Sequence, residues 1–130
     1  MMKRIFSAVL AALLLTGCAA PASTGGYRQV SMQEAMAMME QEQDYIILDV
    51  RTPEEFAEKH IPGAINVPNE TISDEPPAQL PDRDALILVY CRSGNRSKQA
   101  SQKLAQMGYT SVVEFGGINS WPGETVSGGA

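Results

Sequence analysis

The feature that most constrains the fold of this chain is an apolar run, residues 85–90, followed by a polar loop. The run is short, unbroken and rich in branched side chains, which is typical of a buried strand. Residues 98–107 then show helical spacing. The loop between them, residues 91–97, reads Cys-Arg-Ser-Gly-Asn-Arg-Ser and therefore connects a buried strand to a helix. This order predicts an α/β fold with the loop at the carboxyl end of a strand.

The position of Cys91 at the base of this loop favours a reactive thiolate. The first turn of a helix carries backbone N–H groups without partners inside the helix, and these attract negative charge. A tight loop containing Gly94 can direct such amides toward an anion, while Arg92 and Arg96 add positive charge. Each effect stabilises the thiolate, which is the nucleophilic form of cysteine. The alternative is a small core cysteine, which would not need these neighbours.

Composition excludes several other classes of function. The 130-residue chain has a formal net charge of −5, which argues against a nucleic-acid partner, and its length favours one domain. Its two cysteines, Cys18 and Cys91, and its single histidine, His60, form no cluster suited to a metal, and no cofactor is expected. A catalytic cysteine–histidine pair could use only His60, which the sequence does not place beside Cys91.

The N-terminus is typical of a bacterial lipoprotein signal. A basic start precedes an apolar stretch at residues 5–15, which is too short to cross a bilayer as a helix. The stretch leads into Leu-Thr-Gly-Cys, which ends at Cys18 and resembles a lipobox. This resemblance implies removal of a signal peptide, residues 1–17, and attachment of lipid to Cys18. Residues 18–27 are then predicted to form a lipidated flexible tether. The alternative is an ordinary buried first helix.

Attachment of lipid to Cys18 would leave Cys91 as the only free thiol. A lone thiol cannot form an internal disulfide, so another molecule must discharge any oxidised or sulfur-loaded form of Cys91. Multiple acyl chains hold a protein stably at a membrane surface without a transmembrane helix. We therefore expect a domain in the bacterial cell envelope, lipid-anchored to a membrane and located outside the cytoplasm.

Further along the chain, buried strands alternate with capped helices. Strands are predicted at residues 27–30, 45–48, 64–67, 85–90 and 111–115. Capping boxes predict two helix starts, one from Ser31 and Glu34 and the other from Thr52 and Glu55. The alternation predicts a parallel sheet with helices on both faces.

Asp49 and Arg51 follow the predicted strand at residues 45–48. Ligands of open α/β sheets bind at the carboxyl ends of strands, which makes Asp49 a candidate site residue. A structural role, as a hydrogen-bond acceptor that holds the next turn, is favoured over direct catalysis. Arg51 and Glu55 are close enough in sequence to form an ion pair.

Three groups of motifs resemble those of the single-domain rhodaneses, over about residues 28–122. The first group is Asp-Val-Arg at 49–51, Glu-Phe at 55–56 and His-Ile-Pro-Gly-Ala-Ile-Asn-Val-Pro at 60–68. The second is the loop at residues 91–97, and the third is Gly116 and Gly117 followed by Trp121. One departure is Lys59, where the family usually has glycine.

The resemblance implies a five-stranded parallel sheet flanked by helices, and we expect this domain at residues 28–126 with a loose tail at 127–130. It implies a sulfurtransferase that moves sulfane sulfur from a small anionic donor such as thiosulfate, through a persulfide on Cys91. The acceptor would be cyanide or a thiol, including a thiol on a protein. The residues implied for substrate binding are Arg92, Ser93, Gly94, Asn95, Arg96 and Ser97, with Asp49 and Arg51 in support.

Two other functions compete with sulfur transfer. One is a non-catalytic or redox-sensing rhodanese-like module that binds partners at the membrane surface, which Cys91→Ser would distinguish from an enzyme. The other is a phosphatase or arsenate reductase, in which the related loop places five residues between cysteine and arginine. Only four residues separate Cys91 from Arg96, and the smaller loop suits one sulfur atom better than a tetrahedral oxyanion.

Overall fold

A single sheet positions the other elements of the chain. The computed structural model describes residues 23–24 and 26–129, and its strands have the order β1-β2-β6-β5-β3-β4. These strands are β1 (Ser23–Thr24), β2 (Tyr27–Gln29), β3 (Ile46–Asp49), β4 (Ile65–Asn66), β5 (Leu86–Cys91) and β6 (Ser111–Gly117). Every pairing from β2 to β4 is parallel. The predicted five-stranded parallel sheet is therefore confirmed.

The strand β1 adds an antiparallel edge that the sequence analysis did not predict. Ser23 lies opposite Arg28, and Gly26 turns the chain with a φ of 93°, a conformation that glycine adopts without strain. These strand positions fall within the predicted tether at residues 18–27, whose extent stays a prediction. Cys18 and the signal peptide lie outside the described residues.

The helices are α1 (Met32–Gln41), α2 (Pro53–Glu58) and α3 (Asn95–Gln106). Both predicted capping boxes are present, since Ser31 and Thr52 each accept a hydrogen bond from the backbone N–H of the glutamate three residues later. Helix α3 begins three residues before the predicted segment at 98–107. The second half of the loop therefore forms the first turn of this helix.

Apolar side chains cover both faces of the sheet. On one face, Val89 and Cys91 of β5 pack in a cluster with Ala100 and Leu104 of α3. On the other, Leu88 and Tyr90 pack with residues of α1 and α2, including Ala35 and Phe56. Successive residues of β5 point to opposite faces, so Cys91 lies on the side of α3.

The C-terminal segment returns to the end of α2. His60 and Val126 exchange two backbone hydrogen bonds of 2.8 and 2.9 Å, and Gly128 donates to the carbonyl of Ala57 at 2.7 Å. Residues 122–129 contain no helix. Among the residues that the structure describes, no helix is both long and apolar enough to cross a membrane.

Candidate active site

The sulfur of Cys91 lies at the floor of the loop predicted to be reactive. Cys91 is the last residue of β5, a strand flanked by β3 and β6, and it is 1% exposed. The backbone N–H of Gly94 donates to Cys91 Sγ at 3.0 Å. An amide directed at sulfur stabilises negative charge there. The geometry can therefore support a thiolate at the amino end of α3.

The backbone of the loop depends on two glycines. Gly94 caps α3 with a φ of 117°, in the left-handed region that side chains with a Cβ rarely adopt. Gly117, at the end of β6, lies against the loop from below. A Cβ at this position would be 2.0 Å from the carbonyl oxygen of Arg92 and 2.6 Å from the amide nitrogen of Ser93. The absence of this atom allows the loop to rest on the sheet.

The two arginines of the loop have different surroundings. Arg92 is exposed beside a cleft of about 220 Å³ that also includes Lys59 and Asn119. Arg96 forms two hydrogen bonds with the carboxylate of Glu55, at 2.7 and 3.1 Å. These bonds raise the pKa of Arg96 against the effect of burial, and the negative charge of Glu55 adds to the increase. Much of the Arg96 charge is therefore balanced by Glu55 before any anion binds.

The remaining polar positions of the loop divide between surface and interior. Ser93 and Asn95 are exposed, whereas Gly94 and Ser97 are buried. The structure thus brings the predicted residues Cys91, Arg92, Ser93, Gly94, Asn95, Arg96 and Ser97 together in one strand–loop–helix unit. Only Gly94 and Ser97 form hydrogen bonds with Cys91 Sγ among the described residues.

Asp49 and Arg51 form a buried unit of their own. Asp49 is fully buried and accepts hydrogen bonds from the backbone and guanidinium of Arg51, and from the hydroxyl of Tyr90 at 2.6 Å. Burial, followed by this bond to Asp49, raises the pKa of Tyr90. The predicted pairing of Arg51 with Glu55 is wrong. Arg51 pairs with Asp49 at 2.6 Å because that carboxylate is buried beside it.

His60 has contacts away from the sulfur. Its ring stacks on Phe56 with centroids 3.7 Å apart, and Nδ1 lies 2.9 Å from the carbonyl oxygen of the same residue. The structure therefore gives no cysteine–histidine pair among the described residues. No group of three or more histidine, cysteine, aspartate or glutamate residues in residues 26–129 is placed to hold a metal.

Sequence reasoning missed one buried acid beneath the loop, Glu114 of β6. It is 3% exposed, and its Oε2 lies 2.5 Å from Ser97 Oγ and 2.9 Å from the backbone nitrogen of Gly116. The available signal was a single charged residue inside an apolar strand, in Val-Val-Glu-Phe at residues 112–115. A buried carboxylate needs partners, and here one of them contacts Cys91.

Comparison with known proteins shows which family the sequence resembles. The family model described as a rhodanese-like domain matches residues 31–124. The thiosulfate sulfurtransferase PspE of Escherichia coli is 39% identical over 71 residues, which are 55% of this chain and 68% of that protein. The thiosulfate sulfurtransferase GlpE of Pseudomonas entomophila is 32% identical over 109 residues, 80% of this chain and 96% of that protein.

Solved structures show the same fold. A structure described as a rhodanese with anions, from E. coli, has a TM-score of 0.59 and 36% identity, covering 65% of this chain and 99% of that one. A rhodanese-like domain from Anabaena has a TM-score of 0.68 and 28% identity, covering 76% of this chain and 78% of that one. These likenesses confirm the predicted family resemblance and support sulfurtransferase activity in general.

The N-terminus has a match of its own. The model of the prokaryotic membrane lipoprotein lipid attachment site matches residues 2–19. This match confirms the predicted lipoprotein signal and supports a lipid anchor at a bacterial membrane.

Proposed function

Because the chain belongs to the rhodanese-like family, we propose that it is a sulfurtransferase that carries sulfane sulfur as a persulfide on Cys91. The observation that carries this proposal is the 3.0 Å hydrogen bond from the Gly94 amide to Cys91 Sγ, at the amino end of α3. Preformed donors of this kind stabilise the charge of a nucleophile without reorganisation during the reaction. The site is therefore suited to covalent catalysis by a thiolate.

Loading would proceed by nucleophilic displacement at sulfur. The Cys91 thiolate attacks the outer sulfur of thiosulfate and forms a new S–S bond. The S–S bond within thiosulfate breaks, and sulfite leaves with the electron pair. The product is a persulfide whose outer sulfur carries the negative charge, close to the amides of the loop.

Discharge would reverse the roles of the two sulfurs. A thiophilic acceptor, cyanide or a thiolate, attacks the outer sulfur and forms a bond to it. The bond between the two sulfurs breaks, and Cys91 leaves as a thiolate. Cys91 is the one cysteine in residues 26–129, and the proposed lipid would occupy Cys18, so the acceptor would come from another molecule, for which a protein thiol is one candidate.

The loop arginines would act on the donor in different ways. Arg92 is exposed at the cleft beside the loop, where its guanidinium can bind the sulfonate end of thiosulfate through two parallel hydrogen bonds. Arg96 is paired with Glu55. It would contribute mainly through its position in the loop and through the part of its positive charge that Glu55 leaves unbalanced. Asp49 and Arg51 would support the site by fixing the neighbouring strand end.

The N-terminal signal supports a proposal for the location of the protein. Lipid on Cys18 would hold the domain at a membrane of the cell envelope, on the side away from the cytoplasm. The sulfur donor and acceptor would then be molecules of that compartment or of the membrane surface.

The test is the intact mass of the detergent-purified protein, reduced and then incubated with thiosulfate, beside the Cys91→Ser variant. We expect the wild type alone to gain the mass of one sulfur atom and to lose it again when cyanide is added. Alkylation of a parallel sample shows whether the thiol is accessible. An accessible thiol that gains no sulfur would exclude thiosulfate as the donor.

A further inference from the structure

The first strand of the sheet shows from which side the chain enters the domain. Strand β1 pairs with β2 in antiparallel orientation, whereas β2 and the remaining strands are parallel to one another. The beginning of β1 therefore points to the edge of the sheet at which the parallel strands end, here called the carboxyl edge. Cys91 is the last residue of β5 and lies at this same edge. The chain thus enters the domain from the side of the loop at residues 91–97.

The register of the strands gives the position of Ser23 relative to Cys91. Ser23 lies opposite Arg28, whose partner in β6 is Val113. Val113 pairs in turn with Leu88 of β5, which precedes Cys91 by three residues. Ser23 is therefore about 10 Å short of the level of Cys91 along the strand direction, and three strand spacings, about 14 Å, to the side.

The connection between the lipid attachment site and β1 is short compared with the domain. Cys18 precedes Ser23 by five residues, which span at most about 18 Å when fully extended. A domain of about 100 residues is about 30 Å across. A lipid on Cys18 would therefore hold the side of the domain around Ser23 within about 18 Å of the lipid headgroups. So short a connection does not let the domain turn freely above the membrane.

Cys91 is also approached from the carboxyl edge. Its side chain is 1% exposed, and α3 covers its face of the sheet through Ala100 and Leu104. The exposed residues of the loop are Arg92, Ser93 and Asn95. A molecule that reacts with Cys91 therefore comes from the side on which the chain enters.

From this topology we propose that the partner of the carboxyl edge is the phospholipid surface, so that the loop at residues 91–97 opens toward the membrane that anchors the protein. The inference rests on the lipid anchor of the proposed function and adds to it the side of the domain that faces the lipid. An acceptor thiol carried by a membrane protein can then reach Cys91 at the membrane surface.

Trp121 is a built-in probe of this arrangement. It is the only tryptophan of the chain, and it follows the single helical turn Ile118–Ser120 that continues β6 at the carboxyl edge. The backbone N–H of Asn119 in this turn donates to the carbonyl of Arg92 at 3.2 Å, so Trp121 lies close to the loop. The matching position at the opposite edge is Tyr45, which is half-buried and directly precedes β3.

The test measures energy transfer from tryptophan to dansyl-labelled headgroups in vesicles of phosphatidylethanolamine and phosphatidylglycerol. The lipidated protein is compared with a variant that combines Trp121→Phe with Tyr45→Trp, which moves the donor to the opposite edge. We expect the transfer efficiency to be at least about twofold higher from Trp121, because the two positions lie at opposite ends of a domain about 30 Å across. Equal efficiencies, or a higher efficiency from position 45, would overturn the proposal.

A longer connection provides a second comparison that leaves the domain itself unchanged. Insertion of about twelve glycine and serine residues after Ala22 allows the domain to rotate, so transfer from Trp121 should fall toward the value of the Tyr45→Trp variant. An unchanged efficiency would contradict the proposal, because the short connection would then not set the orientation.

The outcomes separate this inference from the proposed function. Loading of Cys91 by thiosulfate in detergent solution does not depend on the orientation of the domain, so the inference can fail while the protein still accepts sulfur. Intact mass shows independently whether Cys18 carries lipid. A mass without acyl chains would overturn both the anchor and the orientation derived from it.

Discussion

The ion pair between Glu55 and Arg96 yields a quantitative prediction for Glu55→Gln. Glu55 closes the capping box of α2 through Thr52 and also holds Arg96, a residue of the first turn of α3. Glutamine has the same shape and can still accept from Thr52, so the substitution removes the charge but keeps the cap. The variant therefore isolates the contribution of the ion pair between Glu55 of α2 and Arg96 of the loop.

The expected loss of stability follows from the pKa of Glu55. Hydrogen bonds to Arg96 are the main cause that lowers this pKa from 4.5 to about 2, against the effect of burial and with help from Thr52. A difference of that size corresponds to at most about 3 kcal/mol. About a quarter of each side chain is exposed, at 27% for Arg96 and 25% for Glu55, and solvent screens the pair. We therefore expect a loss of about 1–2 kcal/mol in the free energy of unfolding at neutral pH.

The pH dependence gives the sign of the effect. Because the folded-state pKa is below the unfolded value, the contribution is complete above about pH 4.5 and disappears as the pH falls toward 2. Urea unfolding of wild type and Glu55→Gln, measured from pH 7 to pH 3, should show a difference in stability that narrows below about pH 4.5.

A matched control separates the charge pair from the cap. Glu34 closes an equivalent capping box with Ser31 and has no salt bridge among the described residues. Glu34→Gln should therefore cost less than Glu55→Gln at pH 7. Equal losses in the two variants, or a difference that persists unchanged at pH 3, would refute the assignment of this stability to Arg96.

Two further substitutions test the frame of the site. Gly117→Ala places a Cβ 2.0 Å from the Arg92 carbonyl oxygen, so we expect a loss of at least about 2 kcal/mol in urea unfolding together with slower sulfur loading; a wild-type midpoint would contradict this. Asp49→Asn leaves the buried Arg51 without its carboxylate, and the expected loss is about 3–5 kcal/mol, whereas a loss below about 1 kcal/mol would show that the pair is not needed.

The parts of the site that depend on neighbouring residues could be predicted from the sequence. Capping boxes close within four residues, so Ser31 and Thr52 were identified as helix starts without any tertiary information. The apolar run before Cys91 likewise predicted its own burial, and Gly94 marked the turn into α3. These signals placed the cysteine, the amide and the helix terminus in their observed order.

Partners distant in sequence could not be predicted in this way. Arg51 had two acids within reach, and spacing alone suggested Glu55. The fold decides the outcome, because Asp49 is fully buried and requires the nearer cation, while Glu55 turns toward Arg96, 41 residues away. Which cation a carboxylate selects therefore depends on relative burial, and burial depends on the order of strands.

The same reasoning explains why the acid beneath the loop was overlooked. Glu114 follows Cys91 by more than twenty residues, and only the parallel pairing of β5 with β6 brings the two strand ends together. A carboxylate in an apolar strand nevertheless needs hydrogen-bond donors around it, because its desolvation is costly without them. The donors available at the carboxyl end of this sheet are the amide of Gly116 and the hydroxyl of Ser97. The carboxylate of Glu114 therefore engages the floor of the loop through Ser97, whose hydroxyl also contacts Cys91.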